Sequence, residues 1–435
     1  MANIKLSYKY EPLFEWLSCL PENPLYKVDT VVITGGRYSQ KSFAVGLFSC
    51  VAAKDFNHRV LYTRYTLTSA EDSIIPEFNE KIDILGAHDD FNVTRDRIDG
   101  VNNKSKIVFK GIKTSAGNQT AALKSLKDFS MFIVEEAEEM PNFADWDKIK
   151  KSIRALDVRN LNILLLNPAT REHWIYKELY EDRGVSEGYN GIIGNVLYIH
   201  TEYTDIEREY IPDNIFEDFE EKRLAWEVYQ ATRPELRDTL PDKTIKKASY
   251  FKHTVKGGWL NKAEGVIYSN WEVGEFKEES TPVYGQDFGF SVDPTTLVKT
   301  SIDKKNKIIY CKELIYKPRL TTSEIYDFTF EHTGDKSLIY ADSAEPRLIE
   351  ELKRKGLNIK NTEKGPGSVT AGIASVQDYK LIVDGVNIVK ELNNYVWHDK
   401  KSSTPVDAYN HALDALRYAV YPQISIVPRK ASFGW

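Results

Sequence analysis

Residues 30–43, TVVITGGRYSQKSF, combine a β-branched run, two glycines, a lysine and a serine in one short stretch. The run is typical of a buried parallel strand, and Lys41 and Ser42 open a segment with helical composition. A strand, a glycine-containing loop and a helix N-terminus in this order predict a phosphate-binding loop. In such a loop Lys41 would reach the β- and γ-phosphates, and the Ser42 hydroxyl would coordinate Mg²⁺.

This loop departs from the usual phosphate-loop pattern at one position. The pattern G-x-x-x-x-G-K-[ST] has glycine where this chain has Gln40, and a side chain there crowds the turn. The alternative interpretation is an ordinary strand–turn–helix corner with a solvated lysine. The predicted nucleotide-binding residues are Gly35, Gly36, Arg37, Tyr38, Ser39, Gln40, Lys41 and Ser42.

Two adjacent glutamates follow a second apolar run, in residues 131–140, MFIVEEAEEM. A buried strand here would deliver Glu135 and Glu136 at its carboxyl end, where doubly wound sheets build their sites. Glu135 would hold the Mg²⁺ shell and Glu136 would polarise the attacking water, as in a P-loop ATPase. Aspartate is usual at the first position, so Glu135 is longer than expected. The alternative is an acidic helix start that favours the helix dipole.

A third apolar run, NLNILLLNPAT, ends at Asn167 and Pro168. A polar side chain at the end of such a strand can touch the γ-phosphate and couple hydrolysis to motion. The pair Asn-Pro also favours turns, so a strand-to-loop turn is the alternative.

Acidic side chains recur in the second half of the chain. Asp287 lies inside the apolar strand PVYGQDFGF, and Asp342 ends the strand SLIYADSA. Asp407, His411 and Asp414 lie at i, i+4 and i+7 of DAYNHALDALRYAVY, which predicts one face of a helix. These three segments together fit an RNase H-like nuclease.

Clustered carboxylates of this kind bind two divalent cations, which activate water and stabilise the leaving oxygen in phosphodiester cleavage. Mg²⁺ or Mn²⁺ suits oxygen ligands with one imidazole. We expect Asp287, Asp342 and Asp414 to bind the metals, and His411 to be a ligand or a proton-transfer group. Asp407 is a weaker candidate. The alternatives are a turn cap at Asp287, a helix cap at Asp342 and a half-buried structural histidine.

The length of 435 residues predicts an α/β chain of two domains with a module between them. We place an N-terminal P-loop domain in residues 1–204, a helical connector in 205–256 and a nuclease domain in 257–435. With 42% hydrophobic and 28% charged residues, the composition is that of a soluble globular protein. No apolar run is long enough for a membrane helix. We expect no signal peptide, because the N-terminus lacks a long apolar core and a small-residue cleavage site.

The cysteine count and the net charge further narrow the class of protein. Three widely separated cysteines fit a reducing cytosol and exclude a cysteine-rich zinc site. A net charge of −6 argues against indiscriminate coating of nucleic acid, and it leaves room for a local DNA groove.

With both sets of residues in view, the chain resembles the large terminase subunits of tailed bacteriophages, in the branch with SPP1- and PBSX-like terminases. The similar segments are GGRYSQKS, MFIVEEAEEM, LLNPATREHW, KGGWLNKAEGVIY, YGQDFGF, YADSAEP, KGPGSV and NHALDALRY. The resemblance implies a P-loop ATPase domain of the additional-strand type joined to an RNase H-like nuclease domain. It implies an ATP-driven motor that translocates double-stranded DNA into procapsids and cuts concatemeric DNA.

The resemblance also implies roles for individual residues. Arg37 matches the arginine of the family's phosphate loop, and Asn167 falls in the coupling motif. The nucleotide and catalytic positions are matched by Lys41, Ser42, Glu135 and Glu136, and the nuclease metal site by Asp287, Asp342, His411 and Asp414. Gln40 and Glu135 depart from the commoner glycine and aspartate. The implied cofactors are ATP and Mg²⁺ or Mn²⁺, with two ions at the nuclease site.

The implied partners are double-stranded DNA, a portal protein and a small terminase subunit. The resemblance implies a homo-oligomeric ring during packaging and allows a monomer in isolation. It also implies a location in the host cytoplasm, with transient docking on the procapsid portal. Arg64, Arg154 and Arg171 are alternatives for a trans-acting arginine.

Two other functions compete with the motor. A repair-type ATPase–nuclease would bring helicase motifs and a basic DNA-binding module, and the sequence shows neither. A docking or DNA-binding subunit with a decayed P-loop is favoured by Gln40 alone. The retained Lys41, Ser42 and Glu136 oppose it.

Overall fold

The computed structural model describes residues 5–66, 74–113, 128–140, 142–261, 265–289, 293–362, 367–398 and 401–424. The chain divides into two compact units, residues 1–260 and residues 261–435. The predicted connector, residues 205–256, falls inside the first unit. Its existence as a domain of its own stays a prediction.

The first unit is built on a sheet of nine strands among the described residues. In chain order they are β1 (Thr30–Gly35), β2 (Arg59–Thr66), β3 (Phe91–Val93), β4 (Arg97–Gly100), β5 (Lys106–Lys113), β6 (Met131–Glu135), β7 (Leu161–Leu166), β8 (Gly191–Ile193) and β9 (Val196–Thr201). Their order across the sheet is β3-β4-β5-β2-β6-β7-β1-β9-β8. Neighbours from β5 to β9 pair in parallel, and the pairs at both edges are antiparallel.

Strand β7 lies between the strand that leads into the predicted phosphate loop and the strand that ends in Glu135. Ile163 of β7 pairs with Val31 of β1 on one side and with Ile133 of β6 on the other. All three strands are buried along their whole length, as expected of parallel strands covered on both faces. This inserted strand is the feature that defines the additional-strand class, so the predicted fold of the first unit is confirmed.

Seven α-helices lie in the described part of this unit. They are α1 (Glu11–Glu15), α2 (Lys41–Phe56), α3 (Ile74–Leu85), α4 (Phe143–Lys150), α5 (Trp174–Tyr176), α6 (Asp213–Ala231) and α7 (Asp242–Tyr250). Helices α6 and α7 pack on each other around a hydrophobic cluster separate from the two cores that flank the sheet. Side chains alternate along β1, so Val31 and Ile33 enter the core under α2 while Val32 enters the opposite core with Trp146 of α4. The described helices include none that is long and apolar enough to cross a bilayer.

The second unit is built on a sheet of seven strands and a separate hairpin, counted over the described residues. The strands are β10 (Trp271–Val273), β11 (Val283–Asp287), β12 (Pro294–Asp303), β13 (Ile308–Pro318), β14 (Ile339–Ala341), β15 (Ile359–Asn361), β16 (Lys380–Asp384), β17 (Trp397–His398) and β18 (Lys401–Pro405). The sheet order is β10-β16-β13-β12-β11-β14-β15. Strands β11, β12 and β13 form an antiparallel meander, and β14 and β15 extend it in parallel, which is the RNase H-like arrangement predicted.

Five helices flank the second sheet in the described part of the unit. They are α8 (Thr322–Thr333), α9 (Pro346–Arg354), α10 (Ser368–Gln377), α11 (Val386–Asn394) and α12 (His411–Ile424). Helix α12 lies so close to β11 that a Cβ on Gly285 would come 1.7 Å from the Ala415 carbonyl oxygen. The absence of a side chain at Gly285 therefore lets the helix approach the strand that ends in Asp287.

The start of α12 corrects one prediction. The helix begins at His411, so Asp407 precedes it and does not share a helical face with His411 and Asp414. The backbone φ of Tyr409 is +57°, in the left-handed region, and this conformation interrupts a right-handed helix. Asp407 Oδ1 instead accepts a weak hydrogen bond from Asn410 Nδ2 at 3.5 Å.

Candidate active sites

The loop between β1 and α2 resolves the question raised by Gln40. Gln40 directly precedes α2 and has φ +59° and ψ +17°, the left-handed conformation that glycine adopts most easily. Tyr38 also has a positive φ, of +55°. The Gln40 Oε1 atom is buried and has no hydrogen-bond partner in the described part of the chain. The loop therefore takes the glycine-type path, with a side chain where glycine is usual.

Lys41 turns its ammonium group back onto this loop. Its Nζ donates to the carbonyl oxygens of Gly35 and Gly36 at 2.8 and 2.7 Å, and to Ser39 Oγ at 3.3 Å. It also donates to Asn167 Oδ1 at 3.0 Å. Burial lowers the pKa of Lys41 to about 8, although nearby carboxylates oppose the shift. The lysine, the two glycines and the asparagine predicted from sequence are thus brought together.

The loop is held from two sides by segments outside the motif. Tyr10, fully buried, donates its hydroxyl to the Ser39 carbonyl oxygen at 2.8 Å. The Arg37 amide donates to the Thr254 carbonyl oxygen at 2.8 Å. A Cβ on Gly36 would lie 1.7 Å from the Val255 carbonyl oxygen, so the segment that ends the connector packs directly on the loop. No sequence pattern indicated either contact.

The predicted magnesium ligand Ser42 follows directly after Lys41. It is the second residue of α2 and is exposed. The residue is therefore accessible to solvent, and its role as a metal ligand stays a prediction.

The two predicted acids at the end of β6 have different surroundings. Glu135 is buried, and its Oε2 accepts a hydrogen bond from Arg64 Nε at 2.9 Å. Glu136 is exposed and has a left-handed backbone with φ +54°. Partial burial of its carboxyl group raises the pKa of Glu136. Arg64, a candidate trans-acting arginine, thus contacts a carboxylate of its own chain.

A third acid, Glu138, was not singled out by the sequence. It lies in the short 3₁₀ turn Ala137–Glu139, and its Oε1 accepts the Asn167 amide at 3.3 Å. Burial raises the pKa of Glu138 to about 7. Its Oε2 is buried without a hydrogen-bond partner among the described residues. The one sequence signal for Glu138 was the spacing of the acids in EEAEE. A 3₁₀ turn after the strand returns the fourth residue of this segment, Glu138, toward the sheet edge.

In the second unit, the end of β11 meets the start of α12. His411 Nδ1 lies 3.3 Å from Asp287 Oδ2, and His411 Nε2 lies 3.5 Å from Asp293 Oδ1. Burial raises the pKa of Asp287, an effect that outweighs the hydrogen bond with His411. The same hydrogen bond raises the pKa of His411. The predicted aspartate and histidine are therefore in direct contact.

The other two predicted metal ligands lie nearby but bind different partners. Asp342 follows β14, and its Oδ1 accepts the Ala344 amide at 2.9 Å. Asp414 Oδ1 lies 2.7 Å from Arg417 Nη2, one turn along α12. Both carboxylates raise the pKa of Asp287, so the three acids share one electrostatic environment. Across the described residues, no three His, Cys, Asp or Glu side chains are grouped closely enough to hold a metal ion. The ligand set stays a prediction.

Two family profiles match the chain, one in each unit. The profile described as "Phage terminase large subunit" matches residues 27–231, and the profile described as "Terminase RNAseH like domain" matches residues 287–421. The chain belongs to the phage terminase large-subunit family. The family resemblance inferred from the sequence motifs is thereby confirmed. The two profiles together cover both predicted sites.

Individual relatives of this terminase-family chain match it over most of its length. The large subunit of the Bacillus phage SPP1 terminase is 24% identical over 442 residues, covering 96% of this chain and 97% of the relative. The PBSX phage terminase large subunit of Bacillus subtilis strain 168 is 22% identical over 409 residues, covering 89% of each. Among solved structures, the large terminase of bacteriophage HK97 aligns with a TM-score of 0.46 at 11% identity, covering 96% of this chain and 95% of that one.

A buried acid lies beneath the start of α12 in this terminase-family chain. Glu391 on α11 is fully buried, and its Oε2 accepts the Leu413 amide at 3.0 Å while its Oε1 accepts the Tyr316 hydroxyl at 3.0 Å. Burial raises the pKa of Glu391 to about 7. A carboxylate at a helix N-terminus binds amides that have no partner within the helix. Glu391 therefore fixes the turn that carries His411. Glu391 lies in a helix that carries no motif, so the sequence alone does not indicate its role.

Proposed function

We propose that this chain is an ATP-driven motor that translocates double-stranded DNA into procapsids and cuts concatemeric DNA with a two-metal endonuclease site. The observation that carries the proposal is that predicted site residues come into contact in each of the two units of one terminase-family chain. One unit joins the Lys41 loop to an additional-strand sheet, and the other places Asp287, at the end of strand β11 of an RNase H-like sheet, against His411 at the start of α12.

The first site has the chemistry that a nucleotide requires. Phosphate oxygens would compete with the Gly35 and Gly36 carbonyls for the Lys41 ammonium group, and the α2 N-terminus favours anions. Ser42 and Glu135 would hold the Mg²⁺, which neutralises charge that develops on the phosphates. Glu136, at the exposed end of β6, would orient and polarise the attacking water.

The second site has the donor set for hard divalent cations. Asp287, Asp342 and Asp414 offer carboxylate oxygens, which Mg²⁺ and Mn²⁺ prefer. Two such ions would activate water and stabilise the leaving oxygen. His411, which is hydrogen-bonded to Asp287, would be a further ligand or carry a proton to or from the reacting groups. Arg417 holds the Asp414 carboxylate by an ion pair that a cation can replace.

The domain assignment and the partners belong to the same proposal. Residues 1–204 would form the ATPase domain, 205–256 a helical connector and 257–435 the nuclease domain. The partners would be double-stranded DNA, a portal protein and a small terminase subunit. The chain would act as a homo-oligomeric ring in the host cytoplasm, transiently docked on the procapsid portal, and could be a monomer in isolation.

The proposal is tested by separating the two activities in the full-length protein. Lys41→Ala should abolish ATP hydrolysis and spare metal-dependent plasmid cleavage, because the two sites lie in different units. Asp287→Ala should abolish cleavage and spare ATP hydrolysis. Lys54→Ala, at the other end of α2, and Asp303→Ala, in an exposed turn, are the matched controls. A wild-type protein that neither hydrolyses ATP nor cuts DNA with any metal would favour the docking subunit instead.

A further inference from the structure

We infer that Glu138 is a positioning residue of the ATPase site, which holds Asn167 in place beside Lys41. This inference deepens the proposed ATPase function and rests on it. Glu138 is a half-buried acid of the EEAEE segment. The two-acid pattern of P-loop ATPases gives roles to Glu135 and Glu136 and none to Glu138.

The geometry forms a chain of three residues from three different elements. Glu138 Oε1 accepts the Asn167 amide at 3.3 Å, and Asn167 Oδ1 accepts Lys41 Nζ at 3.0 Å. Glu138 follows β6, Asn167 follows β7, and Lys41 opens α2. Because β7 lies between β1 and β6, the Glu138 contact fastens the end of the inserted strand to the turn that carries the predicted catalytic acid.

Burial indicates that this arrangement is maintained at a cost. The Glu138 Oε2 atom is buried and has no hydrogen-bond partner within the described ranges. A buried polar atom without a partner is destabilising, so its presence beside the predicted nucleotide-binding residues calls for an explanation. Among the carboxylates that act on the Lys41 ammonium group, Glu138 has the larger effect and Glu135 the smaller.

The neighbouring acids cannot take this role. Glu135 is held by Arg64, on the side of β6 toward β2. Glu136 and Glu139 are exposed. Glu138 is therefore the acid that reaches the end of β7, and Glu139 provides a matched control one residue away.

The arrangement has a consequence for the reaction. When a phosphate draws the Lys41 ammonium group away from the loop, Asn167 loses the donor to its side-chain oxygen. The Asn167 backbone remains fixed by Glu138, so its side chain stays at the site while it exchanges partners. Loss of Glu138 would thus impair turnover more than nucleotide binding, which depends on the loop and Lys41 themselves.

Steady-state ATP hydrolysis by full-length variants tests the inference. We expect Glu138→Ala to lower kcat by about tenfold or more with KM within about threefold of wild type. Glu138→Gln should keep at least about a third of kcat, because its amide oxygen still accepts the Asn167 N–H. Glu139→Gln should match wild type. In a double-mutant cycle, Glu138→Ala should add little to Asn167→Ala, because Glu138 acts by positioning the Asn167 side chain and Asn167→Ala removes that side chain while keeping the backbone N–H.

A second readout needs no nucleotide. Amide hydrogen exchange at Asn167 in the nucleotide-free protein should accelerate in Glu138→Ala and not in Glu138→Gln. If Glu138→Ala fails to fold, Glu138→Asp carries the test, because its shorter side chain withdraws the carboxyl from Asn167.

Three results would overturn the inference: wild-type kcat in both Glu138→Ala and Glu138→Asp, multiplicative losses in the cycle, or equal losses in Glu138→Gln and Glu138→Ala. The absence of ATP turnover in the wild-type protein would instead overturn the proposed ATPase function itself, and the inference with it.

Discussion

Arg64 Nε lies 2.9 Å from Glu135 Oε2, and the two residues are direct register partners on the parallel strands β2 and β6. The side chains are 20% and 5% exposed, so the pair is largely withdrawn from water. The glutamate, longer than the usual aspartate, reaches sideways to this arginine. The pair therefore fixes the carboxylate that we propose as a ligand of the nucleotide's Mg²⁺.

Removal of Arg64 should harm both stability and turnover. In Arg64→Ala the Glu135 carboxylate stays buried without its partner, and we expect a loss of about 3 kcal/mol in the free energy of unfolding. ATP hydrolysis should fall by about tenfold or more as the carboxylate loses its orientation. Urea unfolding and steady-state turnover measure the two effects. Arg97→Ala, which breaks the exposed pair with Asp99, should cost at most about 1 kcal/mol. Equal costs at both arginines would contradict a special role for the Arg64 pair.

The backbone at Gln40 leads to a second prediction. The left-handed conformation costs a residue with a Cβ about 1 kcal/mol, and it costs glycine nothing comparable. Gln40→Gly should therefore be more stable than Gln40→Ala by about 1 kcal/mol, although glycine is normally the less stabilising residue. Both variants remove the unpartnered Oε1, so the difference between them isolates the effect of the backbone conformation on stability. Thermal melting monitored by circular dichroism would measure the difference. A more stable alanine variant would mean that the left-handed conformation is not retained.

The strands and the residues at their ends could be predicted from the sequence, but the contacts between residues distant in the chain could not. The pattern of apolar runs and polar ends predicted β1, β6, β7 and the residues that follow them, because buried parallel strands leave a strong local signal. The contacts of Arg64 with Glu135 and of Glu138 with Asn167 join residues 71 and 29 positions apart, and no local pattern encodes them.

The prediction that Asp407 shares a helical face with His411 and Asp414 was wrong for a similar reason. Helical spacing favoured one continuous face from Asp407 to Asp414, but a single left-handed residue, Tyr409, starts the helix later. Nothing in the composition of DAYNHALDALRYAVY distinguishes a helix that begins at residue 407 from one that begins at 411. Glu391 escaped notice for a related reason, since its role depends on a backbone amide 22 residues away.

The buried Glu391 predicts a pH dependence of stability. Burial raises its pKa from 4.5 to about 7, so between these values the folded protein holds a proton that the unfolded chain releases. The stability that this group contributes is therefore fully present below about pH 4.5, falls as the pH rises through that range, and is lost above about pH 7. The total loss is on the order of 3 kcal/mol.

The Glu391→Gln variant isolates this contribution. It carries no titrating proton, so its stability should vary less between about pH 5 and pH 8 than that of the wild type. Melting temperatures of the full-length proteins across this range provide the measurement, with Asp303→Asn in an exposed turn as the control for general pH effects. A wild-type and a Glu391→Gln profile that run parallel would show that Glu391 has an ordinary pKa.

The close approach of α12 to β11 yields the last prediction. In Gly285→Ala the new Cβ would lie 1.7 Å from the Ala415 carbonyl oxygen, so the helix must move away from the strand. Overpacking of this kind costs about 1–3 kcal/mol. Because Asp287 is on the strand while His411 and Asp414 are on the helix, the shift should separate them, and metal-dependent cleavage should fall by about tenfold or more. ATP hydrolysis by the same preparation is the internal control, since that site lies in the other unit. Full cleavage by a folded Gly285→Ala protein would mean that the three side chains do not need this spacing to cut DNA.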